Sequence, residues 1–416
     1  MHSFEQLESK VRYYCNHYPV KFNKASGCFI EDDKGKKYID FFTGAGALNY
    51  GHNEKTIKEA LIKYLKEDGI LHSLDMATCA KERFLNKFND IILKPRDMNY
   101  KFQFCGPTGT NAVEAALKLA RKVTKRKNII TFTNAFHGVS LGSLSVTGSK
   151  SKRSASGVSL GDTTFMPYEN YFGKEVDTLR YLDKYLSDPS SGIDAPAAFI
   201  IETIQAEGGV NTASKDWLKG IAEIAKRNNA LLIIDDIQVG CGRTGSFFSF
   251  EKFGFLPDLI CLSKSLSAYG LPLSILLISP EYDIWAPGEH NGTFRGNNLA
   301  FVSAVESLNF WADKNFEKSI TDKSILLDKL LLKLSNKIGD IAFLKGRGMI
   351  RGIEFFDSSL ARIISGVCFN NGLILETCGP NDQVIKLLPP INIEDTNLIH
   401  GIDILVSSIK EVLSKL

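Results

Sequence analysis

ALLIIDDIQVGCGRTG, residues 230–245, begins as an unbroken apolar run, Ala230 to Ile234, then turns at once into Asp235, Asp236 and a glycine-rich loop carrying Arg243. Such a run reads as a strand buried on both faces, the pattern of a parallel sheet under helices rather than of a half-solvated ribbon. In open α/β sheets ligands sit beyond the carboxyl ends of the strands, so the two acids stand where a site belongs. The plainer alternative is a strand end with solvated carboxylates. Similar runs lie on either side: FQFCG (102–106), NIITFT (128–133), AAFIIET (197–203), DLICLS (258–263) and LSILLIS (273–279). Between them NAVEAALKLARKVT (111–124) and KDWLKGIAEIAKRNN (215–229) have apolar residues at helical spacing. Alternation of this kind predicts an α/β fold with a sheet covered on both faces.

The chain of 416 residues exceeds what one core usually holds, about 250 to 300 residues, so two domains are expected. Before the sheet, Cys28-Phe29-Ile30 and Lys37-Tyr38-Ile39 flank a turn at Asp33-Lys34-Gly35 and read as a hairpin; TIKEALIKYLKE (56–67) and AKERFLNKFNDIIL (80–93) read as amphipathic helices. From Asn297 two long helical segments lead into MIRGIEFF, ARIISGVCFNN, QVIKLLPP and a last helix from about Thr396, the makings of a smaller α+β domain. The expected division is an N-terminal segment, 1–50, packing with the small domain; a large domain, 51–300; and the small domain, 301–416.

Composition excludes several classes. With 44% hydrophobic, 10% aromatic and 23% charged residues the chain is an ordinary folded protein. Fifty Lys and Arg against 47 Asp and Glu leave a net charge of +3, which supplies no field for nucleic acid or a membrane surface. The short basic clusters at Lys125-Arg126-Lys127 and Lys150 to Arg153 read as solvated helix ends. Eight scattered cysteines with no C-x-x-C pair argue against zinc and for free thiols in a reducing, cytoplasmic setting; no apolar run is long enough to span a membrane.

Four elements carry candidate chemistry. Twenty-nine residues after Asp235, DLICLSKSLSAYGLP places Lys264 at the end of another strand; a lysine there is commonly solvated, but one facing the same crevice as the acid would be partly buried, and burial makes the neutral amine available as a nucleophile. GPTGTNAVEAALKLARK opens a helix from a glycine turn: amides at a helix N-terminus favour an anion, and Gly106, Gly109 and Thr110 let a phosphate approach, although a simply capped helix start reads the same way. NAFHGVSLG offers Phe136 and His137, a flat face for stacking on a heterocycle or ordinary core packing. A lysine, an acid, a phosphate cradle and a stacking ring converge on pyridoxal-phosphate chemistry.

These residues resemble the class III, or ornithine/GABA-type, aminotransferases of the fold-type I pyridoxal-phosphate superfamily. The likeness runs through DKGKKYIDFFTGAGALNYGHN, GPTGTNAVEAALKLAR, AFHG, IETIQAEGG, LIIDDIQVGCGRTG, LSKSLSAYGLP, HNGTFRGNN, GRGMIRGIEF and VIKLLPP. It implies a large domain with a mostly parallel seven-stranded sheet and a smaller α+β domain. By the same resemblance Lys264 is the Schiff-base lysine, Asp235 the partner of the pyridinium nitrogen and Gln238 the partner of the cofactor's 3-hydroxyl. Gly109 and Thr110 form the phosphate cradle, Phe136 stacks with His137 beside it, and Thr293 is a phosphate ligand given by a neighbouring subunit, which implies a homodimer.

The sequence departs from the family pattern in ways that bear on substrate. Glu207 matches a gating glutamate, but its usual arginine partner is Lys386, which cannot form a bidentate fork on a carboxylate. Val139 stands where many relatives have arginine, and Asp235-Asp236 replaces an aspartate-glutamate pair. Within class III, GAGALNYGHN, DDIQVGCGRTGSFFSFE and PGEHNGTFRGNNLAF are most similar to the group that exchanges amino groups between L-2,4-diaminobutyrate and 2-oxoglutarate, in ectoine, siderophore or peptide synthesis. The implied reaction is ping-pong: L-glutamate as donor, L-aspartate 4-semialdehyde as acceptor. An ω-aminotransferase for GABA, ornithine or a diamine, a same-fold aminomutase or racemase, and a non-catalytic binding protein are the rivals. The stretches Tyr14 to Phe22 and Ala45 to Tyr50 are candidates for holding the substrate's amino-acid end.

Overall fold

The computed structural model describes residues 2–415. Near the N-terminus β1 (Phe22–Ser26), β2 (Phe29–Asp32) and β3 (Lys37–Asp40) form an antiparallel ribbon, closed by the turn at Asp33 to Gly35. β1 was not foreseen from the sequence; its residues are largely exposed, so no apolar alternation marks it. Two amphipathic helices follow, α1 (Lys55–Lys66) and α2 (Cys79–Phe88), each started by a side chain that accepts from a first-turn amide: Glu54 from Ile57 and Thr78 from Lys81.

The central sheet contains β4 (Lys101–Gly106), β5 (Ile129–Phe132), β6 (Thr163–Met166), β7 (Ala198–Ile201), β10 (Leu231–Asp235), β11 (Leu259–Leu262) and β12 (Ser274–Ile278). A two-residue ribbon, β8 (Ile204–Gln205) with β9 (Asn211–Thr212), projects beyond β7. The order β4-β12-β11-β10-β7-β5-β6 is parallel except at β12, which runs antiparallel to both of its neighbours. The sheet is thus seven-stranded and mostly parallel, as the resemblance implied. Strand β10 pairs Ile234 with Ile260 and Asp235 with Cys261 of β11, which brings Asp235 and the residues after Leu262 out at one edge.

Helices cover both faces. The helix α3 (Gly109–Thr124) packs seven buried Ala, Val and Leu side chains on one side. On the other, α4 (Thr178–Ser187), α5 (Lys215–Arg227) and α6 (Asn298–Ala312) enclose a core with Phe84, Phe88, Phe132, Trp217 and Phe301. Burying a side chain of that size contributes about 1.5 to 3 kcal/mol, which is why the central strands read as continuous apolar runs.

The long α7 (Lys314–Ile338) leads to a second sheet, β13 (Ala342–Arg347), β14 (Ile350–Phe355), β17 (Val384–Leu387) and β16 (Glu376–Cys378), in the order β13-β14-β17-β16. Between them lie α8 (Ser358–Asn370) and the short β15 (Leu373–Ile374); α9 (Asp395–Leu413) ends the described chain. Strand β15 extends the N-terminal ribbon, pairing parallel with β3 through Leu373 and Ile39. The Tyr18 hydroxyl donates to the Leu375 carbonyl at 2.8 Å, and the Tyr38 and Phe369 rings stack at 4.9 Å. These contacts tie Tyr18 and the N-terminal ribbon to the C-terminal layer.

Candidate active site

A cavity of about 400 Å³ opens at the carboxyl ends of β10 and β11. Eight of the ten residues singled out from the sequence line it: Gly109, Thr110, Phe136, His137, Glu207, Asp235, Gln238 and Lys264. Lys386 lies behind the lining, and Thr293 sits on an exposed loop where its carbonyl accepts from His72 Nε2 at 3.0 Å.

Asp235 ends β10 and is 4% exposed. Its Oδ2 pairs with His137 Nδ1 at 2.7 Å, and its Oδ1 accepts from the Ile237 amide at 3.1 Å. His137 is itself fixed by its backbone amide, which donates to Thr147 Oγ1 at 3.0 Å. Its Nε2 is buried with no hydrogen-bond partner among the described residues.

Lys264 follows β11 and Ser263 with φ of 47°, a left-handed conformation unusual for a side chain of this kind. Such strain persists only where the surroundings impose it. Burial lowers the pKa of its amine, with Lys386 adding to the effect and Glu207 opposing it, so the amine is easier to deprotonate than an ordinary lysine.

Helix α3 begins at Gly109, behind Thr108, whose amide and hydroxyl both donate to Asn111 Oδ1 at 3.2 and 2.9 Å. The first amides of any helix have no intrahelical acceptor, and here those of Gly109 and Thr110 border the cavity. A Cβ on Gly109 would stand 2.9 Å from Ile237 Cδ1, so a larger residue at this start would have to displace the Ile237 side chain. The Thr110 hydroxyl is tied to Ser140 Oγ at 2.7 Å, and Ser140 donates to Glu114 at 2.6 Å.

Behind Lys264 lies a cluster of four side chains. The Lys386 ammonium, fully buried, is 2.7 Å from Glu207 Oε1, 2.8 Å from Glu376 Oε1 and 3.3 Å from Gln238 Oε1. Gln238 Nε2 donates to Glu207 Oε1 at 3.0 Å and to the Ala45 carbonyl at 2.9 Å, while its Oε1 accepts from Lys386 at 3.3 Å. Burial alone would raise Glu207, but the Lys386 and Lys264 ammoniums outweigh it and hold Glu207 at about 2. The same two carboxylates overcome burial at Lys386 and keep it charged. Glu376, more deeply enclosed, is pushed up to about 7 by burial against the pull of Lys386.

Two acids near the cavity escaped the sequence reading. Glu202, just after β7, accepts from the Phe136 amide at 2.9 Å; burial first, then the charge of Asp235, pushes its pKa well up. Its position at a strand end is the signal that picked out Asp235, and it was available. Glu376 faces Lys386 across the antiparallel pair β16 and β17. No one-dimensional pattern announces that pairing.

A helix start free of bulk, a buried acid, an aromatic beside them and a lysine with a lowered pKa fit pyridoxal phosphate. Among the described residues no group of His, Cys, Asp and Glu is arranged to hold a metal ion.

The class-III aminotransferase family model matches residues 13–409. A diaminobutyrate–2-oxoglutarate transaminase of Halalkalibacterium halodurans is 54% identical over 414 residues, covering 99% of this chain and 97% of that one. Another of that name, from Virgibacillus pantothenticus, is 53% identical over 420 residues and covers both chains in full. The ornithine aminotransferase of Toxoplasma gondii, crystallised with partial occupancy of pyridoxal phosphate, superposes with a TM-score of 0.85 at 25% identity, over 100% of this chain and 94% of that one. The chain belongs to the class III aminotransferases, and pyridoxal phosphate is its cofactor.

Proposed function

We propose that this aminotransferase moves the amino group of L-glutamate to L-aspartate 4-semialdehyde, giving 2-oxoglutarate and L-2,4-diaminobutyrate. The observation that carries the reading is the union of Lys264, Asp235 and the Glu207–Lys386 pair at one cavity, in a chain whose full-length relatives bear the name diaminobutyrate–2-oxoglutarate transaminase.

When bound, pyridoxal phosphate supplies an electron sink beside the carbon that loses its proton. The Gly109 and Thr110 amides, at the positive end of α3, would receive the phosphate. Asp235, oriented by His137, would hold a proton at the pyridine nitrogen, and Phe136, which lines the cavity, would stack on the ring. Lys264 would hold the cofactor through its Nζ, and the same Nζ, with its lowered pKa, would take the proton from the amino-bearing carbon of the substrate. Gln238, which lines the cavity, would hydrogen-bond the cofactor's 3-hydroxyl.

Transfer of the terminal amine requires the amino-acid end of diaminobutyrate to point away from Lys264. Ala47 lines the cavity, and Tyr14, its pKa raised by burial first and then by the charges of Glu376 and Glu207, stands within reach of both acids. Both belong to stretches that the sequence nominated for this task.

The working unit is a homodimer in the cytoplasm, with Thr293 given to the neighbouring site. Exposed apolar side chains support this: Leu71, Leu74, Met76 and Phe294 cluster about the Thr293 loop, with the His72 and Phe294 rings 5.4 Å apart. Among the described residues no helix is long and apolar enough to cross a membrane.

Incubation of the holoenzyme with aspartate 4-semialdehyde and, in turn, glutamate, GABA, ornithine and lysine tests the reading. Diaminobutyrate formed in step with 2-oxoglutarate is expected with glutamate; faster turnover with any other donor overturns it.

A further inference from the structure

The lysine behind the cavity is held by two carboxylates. Lys386 Nζ lies 2.7 Å from Glu207 and 2.8 Å from Glu376, and both Lys386 and Glu376 are buried, at 0% and 6% exposure. A buried ammonium needs one counterion to be neutral; this one has two, so the cluster carries a surplus negative charge when both acids are ionised. Glu207 borders the cavity, and the charges of Glu207, Glu376 and Lys386 all reach the Lys264 amine.

We propose that Glu376 is a specificity-determining residue: as the second carboxylate on Lys386 it makes the cluster beside Lys264 net anionic, so that the site favours an amino substrate bearing an additional ammonium. The proposal rests on the reading that the substrate is a diamino acid. L-2,4-diaminobutyrate and 4-aminobutyrate share a carbon chain, a carboxylate and a terminal amine, and differ in the α-ammonium alone. A net charge of −1 near that ammonium lowers the energy of the first complex and leaves the second without the benefit.

Charged and titratable groups approach Glu376 from several elements. Lys386 faces it from β17, Glu207 from the turn between β8 and β9, and Lys264 from the segment after β11. Tyr13, Tyr14 and Tyr18 approach from the N-terminal segment and Cys378 from its own strand, all with raised pKa values and so neutral near pH 7. Because burial pushes Glu376 up to about 7, the surplus charge is present above that pH and absent below it.

Single-turnover half-reactions of the holoenzyme, followed by the cofactor's absorbance, give kcat/KM for diaminobutyrate and for 4-aminobutyrate. The ratio should fall about ten-fold in Glu376→Gln, which keeps the shape and removes the charge. Glu376→Asp, which keeps the charge, should retain most of the wild-type ratio. Between pH 6 and 7.5 the wild-type ratio should rise while that of Glu376→Gln stays flat. Loss of rate with both substrates in equal measure, or an unchanged ratio, overturns the role of Glu376. A wild-type enzyme that does not distinguish the two substrates overturns the diamino-acid reading and the proposal with it.

Discussion

The Nδ1 atom of His137 lies 2.7 Å from Oδ2 of Asp235, both side chains being buried. In such surroundings a carboxylate is oriented by what donates to it, and among the described residues only the Ile237 amide shares that task. Asp235→Asn should lower kcat by about 10²-fold or more, the size of effect seen when one preorganised electrostatic group is removed. His137→Phe keeps a ring and deletes the bond, worth about 1 to 3 kcal/mol, so kcat should drop about ten-fold. Because the two act through one contact, the double variant should be no slower than Asp235→Asn alone. Steady-state kinetics of the three proteins decides it; additive losses would separate the roles.

Lys264 combines chemistry with a backbone conformation of φ 47° that favours glycine. Lys264→Ala should lose about 10³-fold or more of the transamination rate. Lys264→Gly should be equally inactive, yet more stable than Lys264→Ala by about 1 kcal/mol, because glycine occupies the left-handed region without a Cβ clash. Urea denaturation of the two variants tests this. Equal stability would mean that the strain is carried elsewhere.

Lys264 and Asp235 were legible in the sequence because each ends an apolar run, and the ends of strands in such a sheet are where sites form. Glu202 obeys the same rule after β7 and was passed over, although it lines the same cavity as His137. Glu376 was not legible. It pairs with Lys386 only because β16 and β17 align them in register, and an acid after Ile374 and Leu375 looks like any strand residue turned outward. The direction of β12 was hidden for a related reason: a strand buried on both faces shows the same apolar run whether parallel or antiparallel.

Lys386 lies between two acids in a place without solvent. Lys386→Met removes the cation between Glu207 and Glu376 and leaves the two acids facing each other, a change expected to destabilise by about 3 to 5 kcal/mol at pH 8. The deficit should shrink toward pH 5, because Glu376, at about 7 even beside the lysine, then takes up a proton and relieves the repulsion. Chemical denaturation at the two pH values measures it. A deficit that does not depend on pH would show that packing, not charge, had been lost.

Asp236 is fully buried beside the catalytic acid, and its Oδ1 lacks a hydrogen-bond partner among the described residues, while the Ser249 amide donates to Oδ2 at 3.1 Å. Burial pushes its pKa up to about 7, with the charge of Asp235 adding to it. An unfolded aspartate titrates at about 3.9. Between those values the native state holds a proton that the unfolded state has released, so this group makes stability fall as pH rises from about 4 to about 7. Above that window the ionised carboxylate is a fixed penalty, at most about 4 kcal/mol for a difference of three units. Asp236→Asn cannot ionise. Its stability relative to the wild type should therefore climb through the same window and level off above pH 7, read from urea midpoints at pH 5, 6, 7 and 8. A difference constant across that range would mean that Asp236 stays ionised throughout, its unpartnered oxygen satisfied by water.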